Sequence, residues 1–386
     1  MTRIAIVKKD KCNYEGCGMY LCIKLCPINR TGKECIVVNP LTKKALIHEE
    51  LCTGCGICPN RCPFKAISII NLPEELKNEP MHRYGENGFR LYNMPIPMFG
   101  KVVGILGKNG IGKSTAIKIL AGLIKPNLGN FKNENGATKE EFAEYFKGTE
   151  AQLFFEKLSS GEIKVAYKPQ SVELIANAAD GKVGELLKKI DERKIYDEIV
   201  KKLELEKILE NNIKNISGGE LQRVAIAATV MKKANLYIFD EPTSYLDIKQ
   251  RIKVSNFIRN LADENTAVLV VEHDLIILDY MTDLVHLVYG KEGCYGIFSQ
   301  TKTTRNGINV YLSGYMKEEN VRFRDNEIKF EVRPPLDIKR NTLLVSWSGI
   351  SKKLDSFSLK AQSGEIYKKQ VTGILGENGI GKTSFV

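Results

Sequence analysis

Long apolar runs are missing from this 386-residue chain. Its longest hydrophobic stretches, Ala267 to Val271 and Leu275 to Leu278, are split by Glu272, His273 and Asp274, far short of the ~20 apolar residues of a membrane span. No transmembrane helix and no membrane partner are expected. The segment from Met1 to Asp10 is a short alternating, strand-like stretch carrying Lys8 and Lys9. It has neither the apolar core nor the cleavage site of a secretory signal, so the expected location is the cytoplasm. Acidic residues are in deficit, 46 against 57 Lys and Arg, for a formal charge of +11. That excess suits a polyanionic partner whose counterions are released on binding, although pairs such as Lys188-Lys189 and Lys201-Lys202 can equally solvate helix faces. Cysteine is almost absent beyond residue 62, where only Cys294 remains of ten. What is left, 43% hydrophobic residues in a chain this long, is ordinary for two or three soluble domains.

The cysteines that do occur crowd the N-terminus. Cys52, Cys55, Cys58 and Cys62-Pro63 form a C-x2-C-x2-C-x3-C-P run, and Cys12, Cys17, Cys22 and Cys26-Pro27 form a looser one. Together they read as a two-cluster ferredoxin unit, in which the fourth cysteine of each run crosses to the other cluster. One [4Fe-4S] centre is thereby assigned Cys52, Cys55, Cys58 and Cys26, and the other Cys12, Cys17, Cys22 and Cys62. Thiophilic iron asks for thiolates, and close spacing lets one tight loop, turned by Gly54 and Gly56, grip a cubane. Disulfides are disfavoured in the cytosol, and zinc sites seldom use this spacing. Cys35 and Cys294 fall outside both runs and read as buried thiols; His48 and His82 are not read as ligands.

An apolar strand, Lys101 to Leu106, runs into Gly107-Lys108-Asn109-Gly110-Ile111-Gly112-Lys113-Ser114-Thr115 and then a helical pattern. This is a Walker A loop in its required strand-to-helix context: glycines free the backbone N–H groups to surround phosphates, Lys113 reaches the β and γ oxygens, and Ser114 binds magnesium. A second apolar strand, Leu236 to Phe239, ends in Asp240-Glu241-Pro242. One carboxylate there can hold magnesium through Asp240 while Glu241 orients or deprotonates the attacking water. Between them, Ser217-Gly218-Gly219-Glu220 opens a helix in a manner resembling the ABC signature, whose exposed N–H groups suit a γ-phosphate offered by another domain. Gln170 resembles the Q-loop glutamine, at magnesium and the reacting phosphate; Ser244 to Asp247 resembles the D-loop, and His273 the switch histidine. Tyr84 and Phe89 are candidates to stack on adenine, though both rings could equally be core.

Apolar positions Phe142, Tyr145, Phe146, Leu153 and Phe154 suggest two short amphipathic helices inserted near 139–163, a partner contact or a merely decorative subdomain. Residues 301–325 read as a hinge. Beyond it the expected strand VTGIL, Val371 to Leu375, precedes Gly376-Glu377-Asn378-Gly379-Ile380-Gly381-Lys382-Thr383, repeating the first Walker loop, so Gly379, Gly381, Lys382 and Thr383 are assigned to a second nucleotide. No second signature, Walker B strand or switch histidine follows before Val386. The expected fold is multidomain α/β: a ferredoxin-like iron-sulfur domain (1–75), an ABC-type P-loop NTPase domain (76–300), the hinge, and the start of a second NTPase domain (326–386).

With these residues assembled, the chain resembles the ribosome-recycling ABC ATPases of archaea and eukaryotes, the RNase L inhibitor family. The likeness covers all 386 positions and is most specific in the paired cysteine runs ending Cys62-Pro63-Phe64, SGGELQRVAIAA from Ser217, FDEPTSYLD from Phe239, VVEHDL from Val270, and YGIFSQ followed by TRNGIN. Lys108 departs from the family's usual proline. The resemblance implies ATP hydrolysis with Mg2+ and two [4Fe-4S] clusters. It also implies a monomer with two tandem ATPase domains that splits ribosomal subunits with a release-factor-like protein, the insert and hinge touching ribosomal RNA of the small subunit. Because such ATP sites are composite, this chain alone is expected to show little recycling activity. Two rival readings are an iron-sulfur-coupled redox ATPase and, less favoured, a transporter ATPase.

Overall fold

The computed structural model describes residues 3–71, 79–133, 135–148, 152–329, 343–354, 357–368, 371–378 and 380–386. The domain limit expected at 75 and Gly379 lie outside the described residues.

The N-terminal unit pairs β1 (Arg3–Val7) antiparallel with β4 (Ile67–Asn71), and β2 (Ile36–Val38) with β3 (Ala45–Ile47). Short helices α1 (Leu21–Leu25), α2 (Pro27–Arg30) and α3 (Ile57–Arg61) carry the cysteine loops. Proline starts α2, where its missing N–H costs nothing. The core is tiny: Ala5, Val7, Ile36, Ala45, Ile47 and Ile67 share it with Cys26, Cys35 and Cys58. A unit of this size buries too little apolar surface to be secure unaided, and metal or cluster ligation is the usual supplement.

A hairpin of β5 (His82–Arg83) and β6 (Arg90–Tyr92) enters the main nine-stranded sheet. Its remaining long strands are β7 (Val102–Gly107), β8 (Val165–Lys168), β9 (Leu236–Asp240), β10 (Ala267–Val271), β11 (Leu284–Lys291) and β12 (Tyr295–Phe298). Spatial order runs β5-β6-β12-β11-β7-β10-β9-β8, with β11, β7, β10, β9 and β8 mutually parallel. Parallel strands are buried on both faces, which is why these segments read as unbroken apolar runs rather than alternations. Side chains still alternate: Tyr237 and Phe239 pack under the helices α10 (Gly218–Val230) and α11 (Ile248–Arg259), while Leu236 and Ile238 face α4 (Lys113–Leu120). One consequence fixes the site. The carboxyl ends of β7, β10, β9 and β8 share a single sheet edge, the place where open α/β sheets bind ligands.

The insert folds as two helices, Lys139–Tyr145 and Gln152–Ser160, the first closed by a Thr138/Glu141 capping box. Phe142, Phe146, Phe154 and Phe155 are buried in the core beside β7 and α4, with Phe146 stacked on Phe155 at 3.9 Å. Leu153, expected on the apolar face, is instead exposed, and Phe155 takes the buried position. The hinge segment is itself ordered: helix Thr304–Ser313 packs on β11 and ends at Gly314 in a left-handed conformation. Beyond it, Leu343–Trp347 pairs with Gly364–Tyr367 and Ile350–Leu354 with Phe357–Ala361. The strand expected at Val371 to Leu375 is not formed. Val371 and Leu375 are 98% and 85% exposed, and a parallel strand exists only through bonds to neighbours, which the described residues do not supply there.

The N-terminal unit is locked to the hairpin tip. Asn87, buried and left-handed at φ 57, donates to the carbonyls of Ala5 and Ile47 and accepts from the Ile47 N–H at 2.8 Å. Glu49 receives both Arg83 and Arg90. Asn87→Gly keeps the backbone conformation but strands those groups. It is expected to cost roughly 1–3 kcal/mol, read by urea unfolding, with faster amide exchange at Ile47.

Candidate nucleotide and iron-sulfur sites

At the shared carboxyl edge lies a cavity of about 450 Å³. It gathers the assigned Asn109, Gly110, Gly112, Lys113, Ser114 and Thr115 from the loop after β7, and Gln170, Asp240, Glu241 and His273 from beyond β8, β9 and β10. Tyr84 and Phe89 line its far side, with the unassigned Val271 and Gly293. The two rings differ in kind. Tyr84 is 45% exposed with its hydroxyl 3.3 Å from Thr115 Oγ1, an open face for a flat ligand. Phe89 is half-buried against Gly112, whose φ of 97 and lack of a Cβ are both required: an added Cβ would lie 2.7 Å from the Phe89 ring.

Charges in the cavity are unevenly satisfied. Lys113 is buried and donates to the carbonyls of Gly107 and Lys108 at 2.8 and 2.7 Å. Burial lowers its pKa to about 8, against the pull of Glu241 and Asp240. The Asp240 carboxyl is pushed up to about 6 by burial first and by the neighbouring Glu241 second. Glu241 moves the other way, chiefly through its contact with His273. Its Oε1 meets Gln170 Nε2 at 2.8 Å and His273 Nε2 at 3.2 Å, and its Oε2 accepts from Ser244 at 3.1 Å. No ion pair among the described residues engages Asp240 or Lys113. Asp240, Ser114 and Gln170 therefore offer hard oxygen donors around a carboxylate in no direct ion pair, a set that fits magnesium.

Several contributors were not signalled by motif. Lys168, fully buried, ends β8 beneath Asp240; alternation with buried Ala166 could have placed it inward. Gln222, on α10, donates to the Glu241 carbonyl at 2.7 Å. Glu272, buried and raised in pKa by desolvation, accepts from the N–H and hydroxyl of Thr243.

The signature residues Ser217, Gly218 and Gly219 are not part of this cavity. Ser217 caps α10 through a reciprocal box with Glu220 and is exposed. The second loop repeats the first: Lys382 donates to the carbonyls of Gly376 and Glu377, both at 2.6 Å, Gly381 at φ 93 precedes the helix Lys382–Phe385 that carries Thr383, and Phe357 stands to Gly381 as Phe89 does to Gly112. This loop rests on the first domain, the Asn378 N–H against Asp247 at 3.4 Å and Glu377 paired to Lys249 at 3.2 Å.

In the N-terminal unit, Cys26, Cys52, Cys55 and Cys58 line one small pocket walled by Ile28, Ile36, Ile57 and Ile69. Cys22 lies within electrostatic reach of Cys12, Cys17 and Cys62. Cys26 thus stands with the later run and Cys62 near the earlier one, while Cys22 also lies within reach of Cys58; thiols converging in an apolar wall are the donor type that iron-sulfur clusters take. Burial raises the Cys58 thiol to about 12 and Cys22 to about 11, so metal binding there must displace protons. Cys35 is not remote: it lines the same pocket, adjoining Cys26 and Cys52.

Comparison with known proteins agrees with this division. Residues 97–244 match the ABC transporter family and residues 45–68 the 4Fe-4S binding domain family. A segment of the 4Fe-4S binding type thus precedes a segment of the ABC ATP-binding type in one chain. It is 50% identical, over all its length and 63% of the relative's, to an uncharacterized ABC transporter ATP-binding protein of Methanocaldococcus jannaschii. A structure of ribosome-bound archaeal Pelota and ABCE1 is 53% identical and superposes with a TM-score of 0.93, covering 100% of this chain and 64% of that one. Another, titled RNase-L Inhibitor, is 53% identical with a TM-score of 0.74 over 80% of this chain and 59% of that one. The chain is similar to these proteins along its whole length, and spans a little under two thirds of the relatives it matches. No helix of the described residues is long and apolar enough to cross a membrane.

Because native Asp240 holds its proton more tightly than the unfolded chain, this group lowers stability as pH rises from 3.8 to about 6, and the loss persists at neutral pH. Asp240→Asn is expected to raise the melting point of ligand-free protein at pH 7 by a few degrees, less at pH 5, while abolishing the Mg2+-dependent part of stabilisation by ATP. Scanning fluorimetry at the two pH values checks both.

Proposed function

We propose that this chain is the iron-sulfur and first ATPase portion of a cytoplasmic ribosome-recycling factor, in which ATP binding and hydrolysis drive the splitting of subunits after termination or rescue. The observation that carries the reading is the shared hairpin: β5 and β6 present Tyr84 and Phe89 to the nucleotide cavity, and the same tip is bonded through Asn87 and Glu49 to the cysteine-rich unit. A ligand stacking on Tyr84 therefore presses on the element that holds the iron-sulfur head. The likeness to a ribosome-bound complex containing Pelota supports a release-factor-like partner, and the charge of +11 suits ribosomal RNA at the insert and the segment 301–325.

In this reading Tyr84 and Phe89 take the adenine, the amides around Asn109, Gly110 and Gly112 and the Lys113 ammonium take the phosphates, and Thr115 closes the loop. Ser114, Asp240 and Gln170 would hold magnesium, which when bound neutralises charge on the β and γ oxygens. Glu241 orients and deprotonates water once Gln170, His273 and Ser244 release its carboxylate, and His273 turns to the γ-phosphate. Ser217, Gly218 and Gly219 serve the nucleotide held by Gly379, Gly381, Lys382 and Thr383 of a second ATPase domain beginning near 326. Cys52, Cys55, Cys58 and Cys26 would hold one [4Fe-4S] cluster, and Cys12, Cys17, Cys22 and Cys62 the other, and that ligation would cross-link the loops of the head. One protein molecule carrying both ATPase domains in tandem is the working unit.

Sedimentation of ribosomes with the protein and a non-hydrolysable ATP analogue tests the reading: co-migration with small subunits is expected, and protein left at the top of the gradient overturns it. The ligand sets are tested separately. Cys26→Ser and Cys62→Ser should each remove about half of the iron and labile sulfide, whereas Cys35→Ser should remove none.

A further inference from the structure

Glu241 stands in a left-handed backbone conformation, φ 48, which costs a residue with a Cβ of order 1–3 kcal/mol and persists only when its surroundings impose it. Two buried donors converge on its carbonyl oxygen. Lys168 Nζ lies 2.9 Å from the Asp240 oxygen and 3.3 Å from the Glu241 oxygen, and Gln222 Nε2 lies 2.7 Å from the same Glu241 oxygen. Both side chains are 0% exposed. Each is placed at a cost. Lys168 is a buried cation that no ion pair among the described residues neutralises; it faces Asp240, Glu272, Glu241 and Glu173 only at longer range. Gln222 leaves its Oε1 without a hydrogen-bond partner among the described residues. A fold gains nothing from a dry ammonium and an orphaned amide oxygen, so the return on these two positions lies in what they hold.

We propose that Lys168 and Gln222 are positioning residues for ATP hydrolysis, clamping the Glu241 main chain so that its carboxylate points into the cavity. This rests on the reading of Glu241 as the water-orienting carboxylate. Neither residue touches nucleotide; both act through Glu241. The turn is fixed on its other side by Glu272, which accepts from the Thr243 N–H at 3.0 Å. Gln222 gives the clamp a wider reach, because it sits on α10, the helix whose N-cap is Ser217. The carboxylate of one cavity is thus tied to the helix that serves the other nucleotide.

The test compares Lys168→Met, Gln222→Met and Glu241→Gln in the protein carrying both ATPase domains, measuring steady-state Mg2+·ATP hydrolysis and binding of a non-hydrolysable ATP analogue. Methionine keeps the side-chain volume and deletes the donor. Losing alignment by a fraction of an ångström is expected to lower kcat roughly 10- to 100-fold in both methionine variants, with KM and analogue affinity within about threefold of wild type. If both keep wild-type kcat while Glu241→Gln is inactive, the clamp is refuted and the role of Glu241 stands. If kcat and analogue binding fall together, the residues only build the pocket, and the inference fails. If Glu241→Gln hydrolyses at the wild-type rate, the underlying reading falls first. Should Lys168→Met not fold, Gln222→Met decides alone.

Discussion

Two adjacent carboxylates at the end of a buried strand are the constraint from which the rest of the nucleotide site follows. Asp240 is pressed between the low dielectric of the sheet edge and the charge of Glu241, and like charges this close cannot both sit there ionised without compensation. Compensation comes from two lysines, each shorn of most of its water: Lys113 above, bound to its own loop, and Lys168 below, bound to main-chain oxygens. Neither closes an ion pair with the carboxylates. A divalent cation bound at Asp240 would offset the carboxylates at direct contact, which the two lysines do not.

The same edge explains how binding could be felt elsewhere. Strands β7, β10 and β9 are buried along their whole length and β8 at alternate residues, and close-packed strands of this kind absorb little of the strain of ligand binding. The hairpin of β5 and β6 lies at the opposite margin of the sheet, and its tip is shared between the cavity and the N-terminal unit. Arg83 and Arg90 both meet Glu49, and Asn87 spends its whole amide on the backbone of β1 and β3. A small apolar core that depends on cysteine for part of its volume is tied to the ATPase domain at this tip and by Ile6 of β1, buried with Tyr92, Leu106 and Leu287, so displacement of the tip is felt by the head.

Sequence made the motif-bearing parts legible because their chemistry demands fixed spacing. Gly107 to Thr115, Asp240-Glu241 and the two cysteine runs each fall within one loop, and the structure collects the first two sets in one cavity and brings the cysteines into two groups. Side chains acting across long separations were not legible. Lys168 and Gln222 meet Glu241 from 73 and 19 residues away, and a lysine ending a strand or a glutamine within a helix has no local signature. The insert shows the opposite limit: periodicity found both helices but chose Leu153 over Phe155, the ring that stacks on Phe146 and is buried. The strand at Val371 failed for another reason. Apolar character proposes a strand, but only neighbours make one.

The repeat between the two Walker loops bears on how the second is built. Lys382 grips the carbonyls of Gly376 and Glu377, and Phe357 crowds Gly381, as Lys113 and Phe89 do in the first loop. Among the described residues no strand leads into the second loop as β7 leads into the first. The second loop is held from outside, by Asp247 at the cap of α11 and by Lys249 in its first turn. The pair Lys249–Glu377 is solvent-exposed and by itself weak, but the backbone bond from Asn378 is made to a side chain already fixed by capping Gln250. The turn that follows Glu241 therefore leads, within a few residues, from one phosphate site to the edge of the next.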